Sequence, residues 1–335
     1  MVFSNKQINK AGKALAFEDI KSEEYEKALE TVNAWRSEHR FALEQFRELL
    51  MEQARAIDIN FVFASRLKKI DSIKDKLRRE ENMQLSKMQD IGGCRLIFSR
   101  IEDVYEMVNA LLSMESKHIL KRKTDYIESP RASGYRGYHL IFEYRGGGTT
   151  AENVKIEIQV RTHLQHIWAT SVESASIIAK APLKASRGSQ YWLDFFRLVS
   201  SYFAIQERKP LAPDTPLTKK EITEVIRDIN REHGILKQLE ALNSLIRYTE
   251  FREKVTNSLT MEPYYLLCIN DKEKSRATGF ADFEKAYEAY TDAEKEIGEN
   301  AVLVSTNSTE TLRQAYPNYF IDINQFLSII QNLLF

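Results

Sequence analysis

Two carboxylates stand where they could hold a metal ion against phosphate groups. Asp90 lies two residues before a Gly-Gly pair in MQDIGGCR, and Glu157 lies within KIEIQVRT. Mg²⁺ is commonly held by one or two carboxylates, while water and phosphate oxygens complete its coordination. The pair could therefore bind Mg²⁺ beside a nucleotide, although Asp90 could equally cap a turn, as aspartate often does.

Alternation along KIEIQVRT places Glu157 on a polar face. In a strand, Ile156 and Ile158 would point into a core, while Glu157, Gln159 and Arg161 would form a row on the other side. Such a row is typical of a half-exposed surface strand or of an active-site face that carries a carboxylate beside cations.

Basic residues in SRLKKIDSIKDKL are candidates for phosphate binding. Arg66 and Lys68 would share one face of a strand over 59–68. Lys74 would fall in the first turn of a following helix capped by Asp71 or Ser72. A cation there opposes the helix dipole unless a phosphate binds nearby. A solvated basic stretch is the alternative.

The segment DYIESPRASGYRGYH combines glycines, aromatic rings and cations. Gly134 and Gly137 predict a loop, on which Tyr135 could stack against a nucleobase beside Arg136 and His139. Packing of the tyrosine inside a tight turn is the alternative interpretation.

Strands and helices alternate around these segments, which predicts an α+β fold with a mixed β-sheet flanked by helices. A long helix is expected over 22–56, and Thr162 with Gln165 has the spacing of a capping box that opens another helix. The predicted strands cover residues 59–68, 94–99, 139–145 and 155–162.

Three of the seven prolines lie within residues 209–218, which predicts a domain boundary there. The expected organisation is a first domain over 1–208, a linker with connecting helices over 209–260, and a second small α/β unit over 261–335. That unit is predicted to contain the strands YYLLCI, AVLVS and YFID, a helix over DFEKAYEAYTDAEKEI, a short helix near 309–315 and a last helix.

Composition excludes several classes of protein. The 335 residues carry 48 basic and 48 acidic side chains, which argues against bulk coating of nucleic acid. The two cysteines lack metal-ligand spacing, and no apolar run resembles a signal peptide or a membrane span. A cytoplasmic location without membrane contact is expected. No P-loop motif and no His-Asp pair typical of HD hydrolases is present.

Four segments in order resemble the RelA/SpoT synthetase family over roughly residues 55–175: SRLKKIDSIKDKL, MQDIGGCRLI, TDYIESPRASGYRGYH and EIQVRT. The resemblance implies a sheet related to nucleotidyltransferases and a pyrophosphokinase that moves the β,γ-pyrophosphate of ATP onto a ribose 3′-hydroxyl. It implies Mg²⁺ at Asp90 and Glu157, with Glu157 also as general base. It further implies ATP contacts at Arg66, Lys68, Lys74 and Arg95, and acceptor contacts at Tyr135, Arg136 and His139.

The loop GYRGYH, the continuation WATSVE and the added C-terminal unit are most similar to the CapRel branch, in which a toxin is fused to its own antitoxin. This implies the 3′-CCA end of tRNA as acceptor, a role in anti-phage defence, and a phage protein as trigger. Tyr287 and Tyr290 would then block the nucleotide pocket, although such a pair commonly packs a helix onto a sheet. Candidate tRNA contacts, which could also be solvated surface, are Lys6, Lys10 and Lys13, with 121–123 as a second cluster.

Two other functions remain open at this point. One is a (p)ppGpp synthetase that uses GDP or GTP and carries a C-terminal regulatory domain. The other is a non-enzymatic nucleotide sensor, which the presence of both carboxylates and the cationic set argues against.

Overall fold

The computed structural model describes residues 3–146, 151–179, 181, 183, 186–215, 218–248, 264–268, 276–296, 301–306 and 323–334. Its helices are α1 Asn5–Phe17, α2 Glu23–Ile57, α3 Ile70–Arg79, α4 Ile101–Ser113, α5 His163–Ile178, α6 Gln190–Gln206, α7 Lys219–His233, α8 Ile235–Tyr248, α9 Phe283–Glu296 and α10 Asn324–Leu334. Its strands are β1 Val62–Leu67, β2 Gly92–Phe98, β3 Ile119–Asp125, β4 Tyr138–Glu143, β5 Lys155–Thr162, β6 Tyr264–Cys268, β7 Arg276–Phe280 and β8 Ala301–Thr306. No helix in these ranges has the length and apolar character needed to cross a bilayer.

The described strands form one mixed sheet in the order β3-β4-β5-β2-β1-β8-β6-β7. β2 and β5 run parallel, and the other pairs are antiparallel. This confirms the predicted mixed sheet. The strands of the C-terminal unit extend the same sheet, because β8 pairs with β1 through Ala64↔Thr306 and Arg66↔Val304.

One face of the sheet is covered by α2 and α4. Phe46 and Leu50 of α2 pack with Phe63, Leu96 and Ile158 in a single buried cluster. A second apolar cluster joins α5, α6, α7, α8 and α10, and a third joins α1 to α2 and α3. Because side chains alternate along a strand, Arg66 of β1, Arg95 of β2 and Glu157 of β5 point to the face opposite α2.

Several local predictions are confirmed by the structure. The long helix, the strand over 155–162 and the non-helical proline segment between α6 and α7 agree with it. The capping box at the start of α5 forms as expected: Gln165 N donates to Thr162 Oγ1 at 3.2 Å, and Thr162 N donates to Gln165 Oε1 at 3.2 Å.

Other local predictions are wrong. The cap of α3 is Lys69, which makes no side-chain capping hydrogen bond, so neither Asp71 nor Ser72 caps the helix and Lys74 lies beyond its first turn. The sequence pattern missed β3, an exposed strand at one end of the described sheet that carries three consecutive basic residues, and it also missed β7. The predicted short helix at 309–315 and the strand YFID lie outside the described residues.

His39 in α2 makes the stability of the fold sensitive to acid. Its side chain is buried, its Nδ1 donates to the Trp35 carbonyl at 3.2 Å, and burial together with nearby Arg36 lowers its pKa from 6.5 to about 4. As the pH falls through 6.5, the imidazole of His39 therefore takes up a proton more readily in the unfolded chain than in the folded chain. We expect this histidine alone to cost about 2 kcal/mol of unfolding free energy between pH 7 and pH 5.

Urea denaturation of the wild type and of His39→Leu at both pH values would measure this cost. The wild type should lose about 2 kcal/mol more than the variant on acidification, because leucine cannot take up the proton. Equal losses in the two proteins would contradict the assignment.

Candidate active site

A cavity of about 750 Å³ lies on the sheet face opposite α2 and is strongly cationic. Among the residues that the structure describes, eight basic and three acidic side chains line it, although the whole chain has equal numbers of each. Such an excess suits a polyanion such as a nucleoside polyphosphate. The basic residues are Arg66, Lys68, Lys76, Arg79, Lys87, Arg95, Arg122 and Arg131, and the acidic residues are Glu80, Asp90 and Glu157.

Asp90 is held by two lysines at the α3 side of the cavity. Its Oδ2 accepts from Lys68 Nζ at 2.8 Å, and its Oδ1 accepts from Lys76 Nζ at 3.1 Å. Burial alone would raise the pKa of Asp90, but the two lysines hold that pKa at about 2. The carboxylate is therefore ionised at neutral pH and fixes both ammonium groups at the cavity wall.

Glu157 lies on β5 with a hydrogen bond to each carboxylate oxygen. Oε1 accepts from His139 Nδ1 at 3.1 Å, and Oε2 accepts from Gln159 Nε2 at 2.8 Å. Burial alone would raise its pKa, but the contact with His139 outweighs burial and lowers the pKa below its usual value. An oriented, ionised carboxylate of this kind can accept a proton or bind a cation.

An aromatic corner forms the wall beside Glu157. The Tyr135 hydroxyl lies 2.7 Å from His139 Nε2, the ring of Tyr126 lies 5.8 Å from that of Tyr135, and the Arg131 guanidinium lies 4.5 Å from the centre of the Tyr126 ring. Gly134 adopts φ +90°, and a Cβ there would meet Ser200 Cβ at 2.9 Å, so the turn requires glycine. The corner offers ring faces on which a base could stack.

The two carboxylates fit Mg²⁺ better than a metal held by the protein alone. Asp90 and Glu157 line the same cavity and interact electrostatically. Within the described ranges, no cluster of three or more His, Cys, Asp or Glu side chains could hold a metal ion. Two carboxylates in a wide cavity match the preference of Mg²⁺ for few protein ligands, with water and phosphate oxygens as the others.

Seven of the nine residues predicted for catalysis, ATP binding or acceptor binding meet in this cavity. They come from β1, β2, β4, β5 and the segments beside them, which are far apart in sequence. The predicted residues that line the cavity are Arg66, Lys68, Asp90, Arg95, Tyr135, His139 and Glu157.

Two predicted ligands lie elsewhere. Lys74 turns toward α2, where its Nζ lies 3.4 Å from the Tyr25 hydroxyl and 3.4 Å from Asp71 Oδ1, so it does not line the cavity, and its contact with ATP stays a prediction. Arg136 is 2% exposed and donates through Nε to Ser200 Oγ at 3.0 Å and through a terminal nitrogen to the Ile127 carbonyl. It braces the turn beneath Tyr135 and does not line the cavity, and its contact with the acceptor stays a prediction.

The tyrosine pair of α9 lies on the opposite side of the sheet from the cavity. The Tyr290 hydroxyl accepts from Arg36 at 2.6 Å, and the Arg40 guanidinium lies 5.1 Å from the centre of the Tyr287 ring. Both arginines belong to α2. In this arrangement the pair packs α9 against α2 and does not block the nucleotide cavity, which corrects the expected autoinhibitory placement.

The basic residues predicted to contact tRNA are exposed. Lys6, Lys10 and Lys13 follow the outer face of α1. On a flank of the same helix, the Asn9 side chain accepts from Ser86 N at 2.9 Å, next to Lys87 of the cavity wall. Helix α1 therefore contacts the segment that carries Lys87.

No role in the nucleotide site was predicted for several lining residues, namely Lys76, Arg79, Lys87, Arg122, Tyr126 and Gln159. Lys76 was missed because the first turn of α3 was placed too late. Arg122 was predicted only as a candidate tRNA contact in the cluster 121–123, because β3 was not recognised as a strand beside the cavity. The sequence did place Gln159 beside Glu157, because residues two apart lie on the same face of a strand.

Comparison with known proteins agrees with this site. Residues 65–181 match the family model described as "Region found in RelA / SpoT proteins". This part of the chain is similar to RelA/SpoT proteins. The matched region contains seven of the predicted cavity residues, from Arg66 to Glu157.

Two relatives carry names that state an activity. The GTP pyrophosphokinase YwaC of Bacillus subtilis is 42% identical over 112 residues, which cover 32% of this chain and 53% of the relative. The GTP pyrophosphokinase YjbM of Bacillus subtilis is 33% identical over 141 residues, which cover 39% of this chain and 66% of the relative. The chain thus spans between half and two thirds of these relatives. Among solved structures, small alarmone synthetase 2 of Bacillus subtilis is 26% identical, with a TM-score of 0.45 over 52% of this chain and 94% of that chain.

Proposed function

We propose that this chain is a member of the RelA/SpoT family and an ATP-dependent pyrophosphokinase that transfers the β,γ-pyrophosphate of ATP to a ribose 3′-hydroxyl. The observation that carries the proposal is the meeting of a cationic wall, an oriented carboxylate and an aromatic corner in one cavity. The names of the two relatives, both GTP pyrophosphokinases, support the same reaction class.

The two sides of the cavity suit the two substrates. The cations around Asp90, with Lys68 and Lys76 nearest, would hold the triphosphate of ATP. The ring of Tyr135 would stack on the acceptor base at the other side. Glu157 lies between them, so the acceptor hydroxyl would meet the carboxylate and the β-phosphorus together.

In the reaction, Glu157 would accept the proton of the acceptor's 3′-hydroxyl. The oxygen of that hydroxyl would at the same time form a bond to the β-phosphorus of ATP. The bond from that phosphorus to the oxygen bridging to the α-phosphate breaks, and AMP leaves with the electron pair. Lys68, Lys76 and Arg66 would stabilise the charge on the phosphates. Mg²⁺ held by Asp90 and Glu157 would supply further charge neutralisation.

GDP or GTP is one proposed acceptor, and the relatives' names favour it. A (p)ppGpp synthetase of this kind would use the C-terminal unit as a regulatory domain. The strand pairing of β8 with β1, which carries Arg66, offers a physical connection from that unit to the ATP side of the cavity.

The 3′-CCA end of tRNA is the second proposed acceptor, and exposed basic residues favour it. Arg122 lines the cavity on β3, between exposed Lys121 and Lys123, so a cationic edge leads out of the site. In this case the chain would act as a fused toxin–antitoxin in anti-phage defence, with a phage protein as trigger. Any inhibition by the C-terminal unit would require an arrangement other than the one in which α9 lies on α2.

Transfer of label from ATP carrying ³²P at the γ-phosphate would test the proposal. The full chain with Mg²⁺ would be offered GDP, GTP or bulk tRNA in separate reactions. Label in GDP or GTP would favour an alarmone synthetase, whereas label in tRNA that declines steeply with salt would favour the tRNA reaction. No label in any acceptor would contradict the proposed function.

A further inference from the structure

His139 connects the aromatic corner to the proposed general base. Its Nε2 lies 2.7 Å from the Tyr135 hydroxyl, and its Nδ1 lies 3.1 Å from Glu157 Oε1. The imidazole is therefore a bridge between the side chain that would stack on the acceptor and the side chain that would take the acceptor's proton.

The hydrogen-bond pattern defines which nitrogen of the bridge carries the proton. The lowered pKa of Glu157 makes it an ionised carboxylate that only accepts, so Nδ1 must donate to it. The other ring nitrogen, Nε2, lies 2.7 Å from the Tyr135 hydroxyl. Both nitrogens are occupied by protein groups, which leaves neither for a phosphate oxygen, although the family resemblance implies a phosphate contact for this histidine.

Neighbouring side chains hold the His139 imidazole in place. His139 faces Gln159 across the β4–β5 pairing, and Gln159 donates to the second oxygen of Glu157 at 2.8 Å. The Tyr126 ring meets the imidazole edge-to-face with centroids 5.2 Å apart. These contacts hold the imidazole and the carboxylate in one orientation, with the remaining carboxylate lone pairs available toward the cavity.

We infer that His139 is a positioning residue, which sets Tyr135 and Glu157 in register so that a stacked acceptor presents its 3′-hydroxyl to the carboxylate. The inference rests on the proposed function. It assigns His139 to alignment rather than to binding of the acceptor phosphates, so its loss should lower kcat and leave the acceptor KM nearly unchanged.

Three variants of the full chain separate these roles. Asparagine at 139 places an amide donor where Nδ1 lies, whereas glutamine reaches the position of Nε2. We expect His139→Gln to lower kcat about 100-fold and His139→Asn about 10-fold, because misplacement of reacting groups by 1 Å can cost that much. Tyr135→Phe keeps the stacking ring and removes only the hydroxyl, so it should lower kcat about 5-fold with little change in acceptor KM.

Matched controls come from outside the cavity. His163→Asn and Tyr202→Phe make the same chemical changes at residues that do not line it, and both should match the wild type. In the resting protein, ¹⁵N NMR should find the proton of His139 on Nδ1, with the signal identified by its loss in His139→Asn.

The outcomes distinguish the inference from the proposed function. An active wild type whose His139 variants raise acceptor KM at unchanged kcat, with Tyr135→Phe fully active, would overturn the inference alone. A resting proton on Nε2 alone would do the same, because Nδ1 could not then donate to Glu157. A wild type that transfers no pyrophosphate to any acceptor would overturn both.

Discussion

Replacement of Glu157 by glutamine is expected to lower kcat for pyrophosphoryl transfer about 10²- to 10⁴-fold, the usual contribution of a positioned general base. Glutamine has nearly the same size and can still accept a hydrogen bond from His139 Nδ1. It cannot take up the proton of the 3′-hydroxyl, and it is a weaker ligand for a cation. The loss should appear in kcat with GDP, GTP or tRNA, whichever acceptor the wild type uses.

Glu152→Gln is the matched control for this prediction. Glu152 accepts from Gly146 N at 2.8 Å and lies 3.5 Å from an Arg145 nitrogen, outside the cavity. Its replacement should leave kcat within about 2-fold of the wild type, as is usual for changes that touch no reacting group. Full activity of Glu157→Gln would remove Glu157 from the proposed mechanism.

The strands that carry the site could be predicted because their signals are local. Alternation in KIEIQVRT predicted both the buried row and the polar row that contains Glu157, and the structure has that strand at Lys155–Thr162. Its position beside Asp90 is not a local property. It arises from the parallel pairing of β2 with β5, which sets Gly93 opposite Glu157, and the motif resemblance was the only sequence signal for that proximity.

Errors in the predicted site have two physical causes. The identity of a side chain does not reveal its direction when a turn intervenes, so Arg136 was assigned to the cavity although it is buried against Ser200. Strand propensity is weak in a basic edge segment, so β3 was missed, and its residue Arg122 was predicted as a candidate tRNA contact but not as part of the cavity wall.

The attachment of the C-terminal unit could not be read from the sequence either. Alternation predicted β6 and β8 as strands of a separate unit. The pattern of residues in a strand does not reveal which other strand it pairs with. The pairing of Ser65 with Ser305 joins this unit to the first domain through backbone hydrogen bonds of the sheet. The domain boundary at 209–218 remains a prediction.

The second large effect is expected for Lys76, because of the side of α3 that faces the cavity. Successive helical residues are about 100° apart, so Lys74 and Lys76 point to nearly opposite sides of the helix. In the structure Lys76 reaches the cavity and Asp90, whereas Lys74 packs beside Tyr25. Lys76→Met should therefore lower kcat/KM for ATP about 10- to 100-fold, since a hydrogen bond to a charged group contributes about 1.5–3 kcal/mol.

Lys74→Met serves as the internal control, because it removes the same charge from the same helix two residues away. Its kcat/KM should stay within about 2-fold of the wild type, with at most a modest loss of stability from the contacts to Tyr25 and Asp71. Steady-state kinetics at varied ATP would decide between the two lysines. A large loss in Lys74→Met with an active Lys76→Met would mean that α3 presents its other side to ATP, as expected if the helix began later, near Asp71. The pair thus tests the rotation of α3 directly, and with it the assignment of Lys76 rather than Lys74 to the triphosphate.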